Sequence, residues 1–227
     1  MKRDLYSYLT SWKTNKNRMP LLLRGARQVG KTWLVREFGK GFENFVEFNF
    51  EKNERLSRIF QKDLSPQNLL PQMQAFSSQK IDPATTLIFF DEIQECPNAI
   101  RALRYFKEEK PELPVIATGS LLEFELEKIG VPVGRIEFAH LYPFSFGEFL
   151  EALGRHDLRE SCQAKLNNAA LHDVLSDFLK QYFLLGDAAR CGGLDQREKF
   201  ASMPKIARSN HSNLSKRFHQ IREEKTN

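Results

Sequence analysis

A chain of 227 residues, 41% of them hydrophobic, carries enough apolar material for one good core and part of a second. No run of eighteen apolar residues exists and the opening MKRDLYSYLTSWK lacks a secretory h-region, so the expectation is a soluble, cytoplasmic protein with no membrane partner. The 34 Lys and Arg against 29 Asp and Glu leave a net charge of +5, and three cysteines without C-x-x-C spacing argue against a disulfide framework or a zinc site.

In chain order, an amphipathic helix is expected near residues 4–13 and a short apolar strand over 20–24. Directly after that strand comes the octapeptide GARQVGKT, Gly25 to Thr32. Its residue types suit a phosphate cradle. Gly25 and Gly30 tolerate positive φ, so backbone N–H groups converge on a β-phosphate, and Lys31 supplies a charge for the β- and γ-phosphates. The Thr32 hydroxyl can hold Mg²⁺, and a helix over 31–38 aims its free N–H groups at the anion. Nucleotide contacts are therefore expected at Gly25, Ala26, Arg27, Gln28, Val29, Gly30, Lys31, Thr32 and the following Trp33. Arg27 and Gln28 also fit plain solvent-facing loop positions.

A strand over 44–50 and a helix between 66 and 79 follow. Residues 86–92, TLIFFDE, read as a buried parallel strand ending in two carboxylates, the Walker B pattern. Asp91 would bind Mg²⁺ beside Thr32, and Glu92 would orient and deprotonate the attacking water. A helix begins at Pro97. The strand over 113–117 runs into Thr118-Gly119-Ser120, where Thr118 could sense the γ-phosphate or the lytic water; Thr-Gly-Ser equally suits a turn and cap before a helix over 121–129. A last strand is expected over 135–141. Strands alternating with helices predict an α/β fold, a three-layer P-loop NTPase with a parallel sheet. A strand interposed between the loop strand and the Asp-Glu strand suits the additional-strand class. The aromatics Tyr142, Phe144, Phe146 and Phe149 read as core or junction packing.

LLLRGARQVGKTWLVREF, LIFFDEIQECPN, VIATGS and GRIEFAHLYPFSFGEFL, in that order, resemble a family of AAA-type P-loop ATPases of bacteria and archaea in which a carboxyl-terminal domain of unknown function follows the ATPase core. The resemblance implies ATP and Mg²⁺ as cofactors, nucleotide binding by residues 25–32, metal binding by Thr32 and Asp91, and catalysis by Lys31 and Glu92 with a sensor at Thr118. It also implies a charge-stabilising role at the γ-phosphate for Arg135, against which stands the plainer reading of a surface arginine at a strand entrance. AAA-type relatives often act as homo-oligomers with an arginine supplied by a neighbour.

The expected organisation is an AAA-like ATPase domain over 1–150, the start of a truncated helical carboxyl-terminal domain over 151–186, and a basic tail over 187–227. Family chains continue Gly-Met-Pro after Gly186, whereas here the composition turns basic and polar. A one-nucleotide shift of the back-translated tail permits a helical peptide beginning with the missing Met-Pro. A frameshift-derived or disordered tail is therefore expected. It holds nine Lys or Arg against five acids, +4 of the total +5, so nucleic-acid binding is not supported outside it. The functional expectation is a Mg-dependent ATPase; the alternatives are a nucleotide-binding remnant with little turnover and a DNA-associated ATPase.

Overall fold

Five short strands pair in parallel and form the central sheet of the unit Met1–Arg190. The computed structural model describes residues 3–120, 134–164 and 168–190, all within the unit Met1–Arg190. The strands are β1 (Leu21–Arg24), β2 (Asn44–Asn49), β3 (Thr86–Asp91), β4 (Val115–Thr118) and β5 (Glu137–His140), in the sheet order β2-β3-β4-β1-β5. Every pairing is parallel, with Leu22 opposite Ala117 and Phe138, and Phe90 opposite Phe48 and Ala117. In sequence the strand between β1 and β3 is β2; in the sheet it is β4, which makes β4 the additional strand.

Side chains alternate across a strand, so each strand feeds both faces. Leu22, Val46, Phe48, Ile88, Phe90, Val115 and Ala117 join one buried cluster, while Leu21, Leu23, Leu87, Phe89, Ile116 and Ala139 join the other. Helices α1 (Leu5–Thr14) and α2 (Lys31–Gly39) cover the second face through Leu9, Trp12, Leu34, Val35 and Phe38. Helices α3 (Pro66–Ser77) and α4 (Pro97–Glu109) cover the first. In α4 the buried positions Ala99, Ile100, Leu103 and Phe106 keep a 3.6-residue spacing, and Pro97 starts the helix where no N–H is needed. Three layers result, as the alternating pattern predicts.

The helix expected over 121–129 lies outside the described residues, as does the tail from 191. A 3₁₀ turn, Glu54–Phe60, was not anticipated; it carries Leu56 and Phe60 into the first core. Beyond β5 come α5 (Phe146–Ala152), α6 (His156–Gln163) and α7 (Ala169–Arg190). The helical stretch thus runs four residues past Gly186. Of the aromatics expected to pack at this junction, Phe149 is 2% exposed, stacks with Phe146 and meets Tyr182 at a tilt, whereas Tyr142 is 69% exposed beside His140.

Phe90 is the hub of the first core, with ring centroids of Phe48, Phe50, Phe60 and Phe106 at 5.7 to 6.2 Å. Phe90→Ala removes the ring that four others pack against. It is expected to cost about 3–5 kcal/mol, measured as the shift in urea unfolding.

Candidate functional site

Parallel strands share one carboxyl edge, and connections leaving that edge meet there. β1 leaves it at Gly25, whose φ of 148° is a region that side chains rarely occupy. A Cβ there would come 2.3 Å from the Leu141 carbonyl oxygen at the end of the neighbouring β5. The glycine is therefore required twice, by backbone conformation and by the close approach of a second chain segment. Gln28 and Gly30 also have positive φ, at 64° and 93°, and Gly30 caps the amino end of α2 while its carbonyl accepts from the Leu34 N–H at 2.9 Å.

Lys31 is 6% exposed, and its ammonium donates to the Gly25 and Ala26 carbonyls at 2.9 and 2.8 Å. Burial pushes this amine below the ordinary lysine range. Glu92 and Asp91 pull it back up, and Arg27 adds to the fall. One residue on, the Thr32 hydroxyl lies 3.2 Å from both oxygens of Asp91.

Asp91 is the last residue of β3 and is 3% exposed. Besides Thr32, Thr118 at the end of β4 donates to its Oδ1 at 2.5 Å, and the Asn49 amide at the end of β2 donates to Oδ2 at 3.0 Å. Register dictates the last contact, because Asn49 stands opposite Asp91 in the β2–β3 ladder. Glu92 turns into the left-handed region at φ 52°, a conformation costing about 1–3 kcal/mol for a residue with a side chain and concentrated at functional sites. Its Oε2 accepts from the Gln94 amide at 2.8 Å, and the other end of that amide, Oε1, is buried with no hydrogen-bond partner. Arg27 donates to the buried Ser120 hydroxyl at 3.3 Å, tying the loop to the segment after β4.

The structure brings together the loop, Lys31, Thr32, Asp91, Glu92 and Thr118. Trp33 is 44% exposed on α2 and takes no part in the buried cluster. Arg135 lies apart from them. It precedes β5, so it stands at the amino edge, roughly 16 Å of strand from His140 at the carboxyl edge. There it is half exposed and pairs with Glu108 of α4 at 3.1 Å, the arrangement of a surface arginine at a strand entrance. Asn49 and Gln94 were not foreseen. Asn49 ends a predicted strand, but its role depends on which strand lies beside it, and sheet order is not written in any local pattern.

Thr32 and Asp91 themselves offer only oxygen ligands, a set that suits a hard cation using few protein ligands and several waters or phosphate oxygens. Among the described residues, no group of three His, Cys, Asp or Glu side chains gathers to hold a metal, and no helix is long and apolar enough to cross a membrane.

A family model described as AAA domain matches residues 17–150, more than half of the chain. No curated protein matches it. Among solved structures, a Walker-type ATPase of Pyrococcus abyssi is similar at 20% identity, covering 81% of this chain and 63% of that one with a TM-score of 0.48. Drosophila ORC, solved bound to DNA, matches at 18% identity over 81% of this chain and 58% of that one with a TM-score of 0.46. PCH-2 of C. elegans matches at 15% identity over 91% and 61%, with a TM-score of 0.41. The chain spans less than two thirds of the length of each.

The two demands on Gly25 can be separated from backbone strain alone. Gly134 also has positive φ, 77°, but a Cβ there meets nothing within 4 Å. Gly134→Ala is expected to cost about 1 kcal/mol in urea unfolding, and Gly25→Ala more than about 3 kcal/mol, since the Leu141 backbone must also move.

Proposed function

The chain belongs to the AAA domain family, and on that footing we propose that it is a Mg²⁺-dependent ATPase that hydrolyses ATP to ADP and phosphate at the carboxyl edge of its sheet. The observation that carries this reading is the meeting of Thr32 with both oxygens of Asp91 at 3.2 Å, one residue after a buried lysine in a glycine-rich turn.

Thr32 and Asp91 would hold Mg²⁺, which would supply positive charge to offset the charge of the transferring phosphoryl group. The residues of the chain do the rest. The loop amides and the amino end of α2 bind the phosphates, and Lys31 exchanges the Gly25 and Ala26 carbonyls for phosphate oxygens that carry full negative charge. Glu92, oriented by Gln94, accepts the proton of the attacking water. Thr118, whose hydroxyl donates to Asp91, would contact the γ-phosphate or the lytic water. With Arg135 at the far edge, charge stabilisation from this chain falls to Lys31 and Arg27. Assembly with an arginine supplied by a neighbouring copy belongs to the same proposal.

Binding and turnover are read separately. The unmodified chain is expected to bind Mg-ATP in calorimetry and to release phosphate. Lys31→Ala should lose the binding. Glu92→Gln should keep it while turnover falls at least about 100-fold. Binding without phosphate release in the unmodified chain would identify a nucleotide-binding remnant instead, and undiminished binding by Lys31→Ala would remove the loop from the site.

A further inference from the structure

Arg3 is a long cation near the start of the chain, yet it is 7% exposed. Its guanidinium reaches three segments distant in sequence. Nε donates to Glu148 Oε1 at 2.9 Å, one terminal nitrogen to the Tyr142 carbonyl at 2.7 Å, and the other to the Val29 carbonyl at 2.8 Å. Glu148 is itself fixed, because its carboxylate closes a capping box with Ser145 at the start of α5 and accepts from the Asp4 N–H. Arg3 and Glu148 form an ion pair of which 6% and 5% of the side chains are exposed. A planar fork with several donors is the side chain suited to such a junction.

The contact with Val29 matters because of where it falls. The Val29–Gly30 peptide is trans, so its carbonyl and its amide point to opposite sides. Gly30 lacks a Cβ and accepts either sign of φ, so little in the loop itself prevents this peptide from flipping. Gly30 sits at φ 93°, and a Cβ built there would lie 3.7 Å from an Arg3 terminal nitrogen. A charged donor on the Val29 oxygen holds the peptide in one orientation. The Gly30 N–H is then turned away from Arg3.

We propose that Arg3 is a positioning residue of the phosphate-binding loop: by holding the Val29 carbonyl it keeps the Gly30 amide turned to the side on which the β-phosphate of a nucleoside di- or triphosphate binds. This rests on the ATP-binding reading above. Arg3 touches no reacting atom; it acts through one peptide plane, and its anchor is the segment that joins β5 to α5.

A role in the β-phosphate site alone predicts a ratio that general destabilisation leaves unchanged. Mg-ADP and AMP are titrated calorimetrically into the unmodified chain, Arg3→Gln, Arg3→Lys and Gly134→Ala, each checked for a cooperative melt. Arg3→Gln is expected to weaken ADP about tenfold with AMP changed less than twofold, the loss of one well-aimed donor to an anion. Arg3→Lys keeps a cation beside Glu148 and protects the fold, but it lacks the fork, and should weaken ADP about threefold with AMP unchanged. Gly134→Ala strains the backbone ahead of β5, away from the loop and from Glu148, lowers the melting temperature and leaves both affinities as they were. ADP affinity unchanged in a folded Arg3 variant, or ADP and AMP falling together, overturns the proposal while the ATPase reading stands. If the unmodified chain fails to bind ADP, or Lys31→Ala binds it equally well, the site itself is misassigned and the proposal falls with it.

Discussion

A carboxylate taken out of water must find donors where it is buried, and the architecture answers that demand at Asp91. Three hydroxyl or amide groups converge on its two oxygens, and each arrives on a different element: Thr32 on α2, Asn49 on β2 and Thr118 on β4. β2 and β4 are the two strands hydrogen-bonded to β3. A slip of one residue in either ladder would turn Asn49 or Thr118 to the opposite face and leave the charge short of a partner. The apolar strands determine that a parallel sheet forms; the buried carboxylate ties their register to the place where the chemistry is expected. Thr32 extends the tie to α2, so the loop before that helix is anchored at its far end by the same residue.

The remaining geometry follows from what lies on either side of this point. Upstream, β1 delivers the chain to Gly25 so close to Leu141 that the loop and the end of β5 are in contact. Downstream, the backbone leaves Asp91 through the left-handed conformation of Glu92, which swings that carboxylate off the strand axis. A buried ion pair between the amino-terminal arm and α5 closes the arrangement from a third side. Such a pair adds little net stability compared with apolar packing, because both charges are desolvated. Its merit is direction, since a guanidinium held by a fixed carboxylate presents its other donors at set angles.

Much of this was legible in the sequence because it is local. GARQVGKT, the run TLIFFDE and the strand ending at Thr118 each announce themselves through residue types at fixed spacing, and the strands and helices around them follow hydrophobic period. What escaped depends on contacts between distant segments. Asn49 is an unremarkable polar residue until β2 is known to lie beside β3, and Arg3 has no pattern at all, since its partners are 26, 139 and 145 residues away. Arg135 is ambiguous for the complementary reason. A Gly-Arg before a strand looks the same whichever edge of the sheet it enters, and in a parallel sheet the entrance is the edge away from the loop.

The lysine resting on its own loop has a thermodynamic corollary. Its amine, which rests on the Gly25 and Ala26 carbonyls, binds a proton less firmly than an ordinary lysine, because it is desolvated and near Arg27, a fall that Glu92 and Asp91 offset only in part. Any polyanion that takes the place of those carbonyls returns the lost proton affinity. Binding and protonation are then reciprocal: the loop holds its proton more firmly once occupied, and it holds the anion less firmly as alkaline solution begins to strip the amine. On the proposed reading of the loop, the burial that lowers this proton affinity also sets an upper pH boundary on anion binding, lower than an exposed lysine would impose.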